Sequence, residues 1–446
     1  MMHRGRHRRR RRGRALRAVL GGAAFALTAA ATMISASQAT SSDDPGALKP
    51  LTSATALDRF QLQEDLVPAA TLDRLASSMG RPVGIATVLA SPDHTLRDTA
   101  GCTAAEREAL PAEPAPDRAY CWADGDAATS AWLPRAVTTS GDADGDGSWG
   151  EHRVLLSGWT HNDRLAGTTG ADRGLTRVAV VDADDPSRLT YSWVLLAVPV
   201  DGGRDYAGLV SHVAGMVWYQ DKLLVTTTSG SGEALYVYDV NRVQRADVNS
   251  AAVGRSGKGW SAHGYRWVMP AVGAYRMTGG TCTPAADDAV PCLGGLSLDR
   301  GTSPDSLVAS ESVPAGSGRH TRLWRYPFST DPARPGLLAA DGTGQVDAGQ
   351  AYETKASGVR AVLSRTTGTD TEWYVGPASD GARRGTLWRQ DTEGAKAAKC
   401  GARDGRRCWS PDVRSLSYWT GTGEVWSQSG RTLFATPLAA IDRALR

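Results

Sequence analysis

The chain has 446 residues, 41% of them apolar and 22% charged, with a formal charge of +3; that length can bury a large core without help from metals or cross-links. Fifty Lys and Arg face 47 Asp and Glu, but residues 1–39 hold nine of the arginines and none of the acids, so the remainder carries 41 against 47 and a charge of −6. A mildly acidic body argues against nucleic acid or an anionic membrane as the partner.

In chain order, a run of arginines comes first, then an Ala/Leu/Val-rich segment ending in Ser37-Gln38-Ala39. That is the layout of a secretory signal peptide over residues 1–39, and it predicts a secreted, extracellular protein. An uncleaved anchor is the alternative, although the segment is alanine-heavy and barely long enough to span. Residues 40–58, "TSSDDPGALKPLTSATALD", read as a disordered leader. "LVPAATLDRLASSMGRP" places Ala70, Leu72, Leu75 and Met79 near helical spacing before Gly80 and Pro82, which predicts a short amino-terminal helix. "RPVGIATVLA", Arg81 to Ala90, reads as a strand, and no later segment is apolar enough to cross a bilayer.

From Val137 onward the pattern is all-β. "GMVWY", the turn Gln220-Asp221, "KLLVTTT", a loop and "ALYVYDV" make a strand–turn–strand–loop–strand unit. Units of the same grammar begin near Val137, Gly215, Leu296, Val359 and Arg414, with "YSWVLLAVPV" able to serve as an outer fourth strand. Small antiparallel sheets recurring at this spacing predict a single β-propeller of five or six blades over residues 59–446. A β-sandwich with chance resemblance among its hairpins is the competing architecture. Fourteen tryptophans against four phenylalanines fit the propeller, with Trp159, Trp218, Trp324, Trp388, Trp419 and Trp426 wedged between blades. Residues 81–90 would close the ring by pairing with the last blade.

The six cysteines fall into local pairs, each bracketing a polar loop. In an exported chain this predicts three disulfides, Cys102–Cys121, Cys282–Cys292 and Cys400–Cys408. A zinc site lacks both a C-x-x-C and a nearby histidine.

"ATLDRLASSMGRPVGIATVLASPDHTLRDTAGC", "SAWLPRAVTTSGDA", "HVAGMVWYQDKLLVTTT" and "LSLDRGTSPDSLVASE" together resemble a family of secreted actinobacterial propeller-like proteins without an assigned activity. The resemblance runs from about Phe60 to the carboxyl terminus and implies a fold but no catalytic residues. The blade grammar is more distantly similar to lactonase and YVTN-repeat propellers, a likeness of fold only.

One departure from the family pattern is "GDADGDGSWGE" after "RAVTTS". Asp142, Asp144 and Asp146 at alternate positions before Gly147 form the first half of a calcium loop, but Arg153 and Gly150 stand where further ligands belong. The other reading is a solvated acidic hairpin tip. A second constellation comes from the register: Arg135, His212, Lys355 and Asp412 precede inner strands and so fall at one mouth of the tunnel. They could bind an anionic or hydroxylated ligand, or the histidine could simply bond a neighbouring blade while the charges are solvated. No nucleophile elbow, H-E-x-x-H or phosphate loop occurs. The sequence therefore predicts a monomeric binding module for a small molecule, glycan or envelope protein, with a metal-assisted lactonase or hydrolase as the alternative.

Overall fold

Runs of alternating apolar residues separated by Gly, Asp and Ser form twenty-nine strands among the described residues, twenty of which make five four-stranded antiparallel blades; the outer strands of blades 1 and 2 also pair in parallel, Trp267–Pro270 with Val194–Ala197. The computed structural model describes residues 44–165, 172–228, 233–257, 259–282, 290–379, 384–401 and 405–445; the expected signal over residues 1–39 lies outside them. Blade 1 runs Trp132–Thr139, Val154–His161, Thr176–Asp182, Thr190–Val200. Blade 2 runs Val213–Tyr219, Lys222–Thr227, Leu235–Asp239, Trp267–Met277. Blade 3 runs Leu293–Asp299, Ser306–Glu311, Thr321–Pro327, Gln350–Thr354. Blade 4 runs Val359–Thr367, Asp370–Pro377, Trp388–Gln390, Ala395–Ala397. Blade 5 runs Ser417–Trp419, Glu424–Ser429, Thr432–Pro437 and, from far upstream, Arg118–Cys121.

The first strand of each blade is innermost, and the sheets pack face to face around a ring. Five apolar clusters fill the five seams, and each contains buried tryptophan. Trp218 lies between blades 1 and 2, and Trp324 between blades 2 and 3. Trp373 and Trp388 fill the next seam, Trp409 the one after, and Trp159, Trp419 and Trp426 the seam between blades 5 and 1. Burying each ring contributes roughly 2–3 kcal/mol, so the seams dominate cohesion. The fold is an all-β propeller of five blades; the sandwich is ruled out because each sheet packs against two neighbours around a ring, with a separate core in every seam.

Closure differs from the expectation in one respect. An amino-terminal strand does complete the last blade, but it is Arg118–Cys121, paired to Thr432–Pro437. Residues Ile85–Leu89 are a helix instead, because Ile85, Val88 and Leu89 at helical spacing turn together into the core between blades 1 and 2. The helix expected upstream is present as Ala69–Met79, with Leu72 and Leu75 buried and Gly80 ending it at φ 104°.

The leader expectation also needs correction for residues 44–58. Leu48 is buried against blades 3 and 4, and Lys49–Pro50 pairs with the outer strand of blade 3. Gly46 accepts a hydrogen bond from Gln390 at 2.7 Å, and Ser53 caps the turn Ala54–Leu57. Composition is polar there, yet a few anchors hold the segment down. Further along, Leu62–Leu66 pairs with the outer strand of blade 2, His94–Thr95 with that of blade 1 and Arg97–Asp98 with the closing strand. The segment thus belts four of the five outer edges, covering unpaired backbone that would otherwise invite association.

All three disulfides form in the predicted pairing, with Cα separations of 5.6, 4.9 and 5.6 Å. Cys121 ends the closing strand, so the first bond ties that strand to the helix Ala104–Glu108 region. Among the described residues no helix is long and apolar enough to cross a membrane.

Candidate functional site at the tunnel mouth

Four of the five inner strands carry a β-bulge near their start. The register slips between Pro134 and Ala136, between Val213 and Met216, between Leu293 and Leu296, and between Val359 and Ala361. A bulge leaves its extra residue out of the ladder and re-aims it. Here the freed residues are Arg135, Ala214 and Gly215, Gly294 and Gly295, and Arg360. In blade 5 the regular strand starts late, and Arg414 occupies the corresponding place, its N–H bonded to Gln428. Arg135, Ala214, Gly294, Gly295, Arg360 and Arg414 all line one cavity of about 550 Å3 at the mouth of the tunnel.

The glycines answer a packing need. A Cβ on Gly215 would lie 2.4 Å from the Leu296 nitrogen, and one on Gly295 would lie 2.9 Å from the Arg360 carbonyl oxygen. Inner strands of blades 2, 3 and 4 can approach only where a side chain is missing.

Of the four residues picked from the sequence, Arg135 and His212 line the cavity. His212 Nε2 lies 3.1 Å from Asp163 Oδ2, on the loop that follows the second strand of blade 1; its carbonyl accepts from the Thr228 N–H at 3.0 Å. Asp412 sits behind the wall. It takes Arg414 at 2.8 Å and Arg360 at 3.5 Å, so it faces two arginines and not His212. Lys355 departs from the expectation: it is exposed on the connection from blade 3 to blade 4 and does not line the cavity. The residue that lines the cavity is Arg360, freed by the bulge between Val359 and Ala361.

Arg135 has a different environment from its neighbours. No described carboxylate or carbonyl pairs with it, and its Nε is sealed from solvent without a partner. Burial, with Arg414 beside it, pulls its guanidinium down to about 10, and Asp412 only partly offsets them. Arg360 is lowered by burial and by the same neighbour. Even so, these groups stay charged at neutral pH.

Arg360 and Arg414 were missed, yet the sequence carried a signal. "RAV" opens the inner strand at Arg135 and recurs at Arg360, and "VRSL" places Arg414 likewise.

The three aspartates proposed for calcium do not converge. Residues Ser140–Ala143 coil into one helical turn, which sends alternate side chains in different directions. Asp144 and Asp146 are exposed and accept from the N–H groups of Gly145 and Ser148. Asp142 instead points inward at the far end of the tunnel, accepting from Thr138 at 2.7 Å and Ser417 at 2.6 Å. It thereby clasps blade 1 to blade 5, while its carbonyl accepts from Arg300 of blade 3.

Burial raises the Asp142 carboxyl to about 6, and the hydroxyls of Ser417 and Thr138 only partly counter it. The folded protein therefore holds this proton more tightly than the unfolded chain. Its contribution to stability is complete below the ordinary carboxylate range and is lost as pH rises from about 4 through about 6. Asp142→Asn, which still accepts both hydroxyls, is expected to raise the melting temperature at pH 8 and to leave it unchanged near pH 4. Melting curves of both proteins between those values check this; equal pH profiles would sink it.

A smaller hollow of about 310 Å3 lies beside the Cys282–Cys292 disulfide, lined by Glu233 and Arg276. It draws on blades 2 and 3 and the connection between them, whereas the tunnel mouth collects residues from all five.

The chain matches no protein-family model and no curated protein. Among solved structures it is similar to Drosophila Plexin A in complex with Semaphorin 1b, at 10% identity and a TM-score of 0.29 over 65% of this chain and 72% of that one. Drosophila Semaphorin 1a, extracellular domains 1-2, gives 11% and 0.29 over 70% and 87%. A gluconolactonase from Xanthomonas campestris gives 12% and 0.26 over 80% and 97%. At such scores the likeness carries no argument about function, and the propeller assignment rests on the chain's own sheets.

Proposed function

We propose that the protein is an exported binding module whose ligand, a small molecule or the exposed part of a glycan or envelope partner, sits in the tunnel mouth. The observation that carries this is a cavity of about 550 Å3, a common size for a ligand site, lined by Arg135, Arg360, Arg414 and His212, with Arg135 lacking any described carboxylate or carbonyl partner. Three disulfides fit an oxidising compartment outside the cytoplasm.

A metal-assisted hydrolase would need two carboxylates free to converge with His212. Asp163 is tied to that histidine and Asp412 to two arginines, so the arrangement favours binding over water activation.

Calorimetry against sugars, lactones, organic acids and divalent metals tests the proposal with two variants. Ala315→Trp, at the exposed rim, is expected to block the mouth and abolish binding. His212→Ala is expected to weaken binding by about tenfold, the loss of roughly one good hydrogen bond. A ligand that binds both variants as well as it binds the wild type does not use the mouth.

A further inference from the structure

We infer that the ligand of this mouth is an organic anion, with its charged group held by Arg135 and its uncharged body lying against blades 2 and 3. The inference rests on the mouth being the ligand site, as proposed above.

The first ground is the treatment of arginine elsewhere in the fold. Arg177, Arg322 and Arg325 are buried, and each meets a carboxylate: Asp126 at 2.8 Å, Glu311 at 2.7 Å and Asp299 at 2.8 Å. A guanidinium withdrawn from water needs such a counterion. Arg135, whose Nε is likewise sealed from water, meets no described carboxylate.

The second ground is the charge around it. The ionisable groups at the mouth are Arg135, Arg164, Arg360, Arg414, His212 and Asp163, with Asp412 behind. Asp163 is committed to His212, and Asp412 serves Arg360 and Arg414 together. Arg135 is left without a direct counterion, with two further cations close enough to lower its proton affinity and the two carboxylates offsetting them only in part. An incoming anion would relieve that repulsion, and the planar guanidinium fork suits two oxygens of a carboxylate or phosphate.

The third ground is the division of the wall. Arginine fills the freed position in the adjacent blades 4, 5 and 1, whereas blades 2 and 3 offer Ala214, Gly294 and Gly295. Val213, Val313 and Pro314 extend that side. One half of the cavity is cationic, and the other is walled mainly by small and apolar residues, with His212, Thr228 and Ser312 among them. An inorganic ion would use only the first half; a molecule with an acidic group and a carbon body uses both.

Matched probes test this. Benzoate, phenyl phosphate and benzamide form one set, galacturonate and galactose a second, and inorganic phosphate stands alone. In the wild type, the anionic members are expected to bind at least about tenfold more tightly than their neutral counterparts, with the advantage shrinking as salt rises. Benzoate against phenyl phosphate tells carboxylate from phosphate as the preferred group. Inorganic phosphate is expected to bind more weakly than phenyl phosphate.

Arg135→Gln is expected to erase the preference for anions. It is also expected to raise the melting temperature of the unliganded protein, because an uncompensated charge is removed; a merely structural arginine would give the opposite shift. Arg135→Lys, which keeps charge without the fork, is expected to restore part of the preference.

Neutral probes binding as well as anions, a preference that survives Arg135→Gln, or no binding of any probe at about 10 mM would overturn the inference. If neutral probes bind and Ala315→Trp blocks them, the mouth remains the ligand site and only the anion assignment falls. If Ala315→Trp changes nothing, the mouth itself is wrong.

Discussion

Arg177→Met is expected to destabilise the protein by about 3–5 kcal/mol, the usual result of removing one member of a buried ion pair. Arg177 is 4% exposed and pairs with Asp126, which also accepts from Tyr191 at 2.6 Å and Trp193 at 3.2 Å. Its guanidinium lies 3.5 Å from the Trp193 ring centroid and 4.5 Å from that of Trp132. Methionine fills much of the volume but leaves the buried aspartate without its guanidinium partner, facing the more distant His94, whose Nε2 lies 3.8 Å away. Adding Asp126→Asn removes that stranded charge, so the double variant is expected to recover a good part of the loss. Lysine keeps the charge yet stacks poorly, and is expected to fall between the two. Urea denaturation of the four proteins reads these differences. A loss below about 1 kcal/mol for Arg177→Met would show that water reaches Asp126 and that the pair matters little.

Ala119→Pro is expected to cost about 3 kcal/mol or more and to make the protein aggregate on heating. Ala119 is buried in the middle of the closing strand, opposite Phe434, with its carbonyl accepting from Thr99 at 2.9 Å. Proline there removes a ladder donor and loosens the one strand that joins the first part of the chain to the last blade. Thr432–Pro437 would then present an open edge. Reducing the Cys102–Cys121 bond, whose partners are 19 residues apart, is expected to cost about 3 kcal/mol by freeing the same strand. Light scattering during a thermal ramp, beside urea titration, checks both. An intact melting profile for Ala119→Pro would mean that the five seams hold the ring without its closing strand.

The hairpins at the centre of each blade were legible because their alternation is strong and their turns are short. Gln220-Asp221 joins two strands directly, as read, with Gln220 at φ 51°. The outer strands were less visible, since nothing in Gln350–Thr354 or Ala395–Ala397 stands out from a loop. Arg118–Cys121 was invisible for the same reason: four residues are too few to show a period, and their partner lies at the other end of the chain. Residues 85–89 misled because a short apolar run fits strand and helix alike. At the site, register arguments found Arg135 and His212. They placed Lys355 wrongly because the lining residue, Arg360, lies inside the strand, freed by a bulge after Val359, and a bulge leaves little trace in sequence. The aspartates of residues 142–146 showed a ligand-like spacing, but the helical turn that scatters them depends on Thr139 capping it and on Ser417, 275 positions away, receiving Asp142.

The seam between the closing strand and the last blade also governs when the molecule can be completed. Arg118 and Glu424, which bond across it, are 306 residues apart. Blades 1 to 4 each draw their four strands from a continuous stretch and can form in turn as the chain appears. Blade 5 cannot, because its fourth strand is made early and the other three are made last. The entropic cost of such a long closure grows only slowly with length, by about 0.6 kcal/mol per doubling, but the search for that contact is slow. Until residues 432–437 arrive, the strand at 118–121 has no partner on one side, and the tunnel has no complete mouth. Arg414 and Arg135, on either side of that gap, come together only at the final step, so the proposed ligand site is completed all at once and at the end of folding.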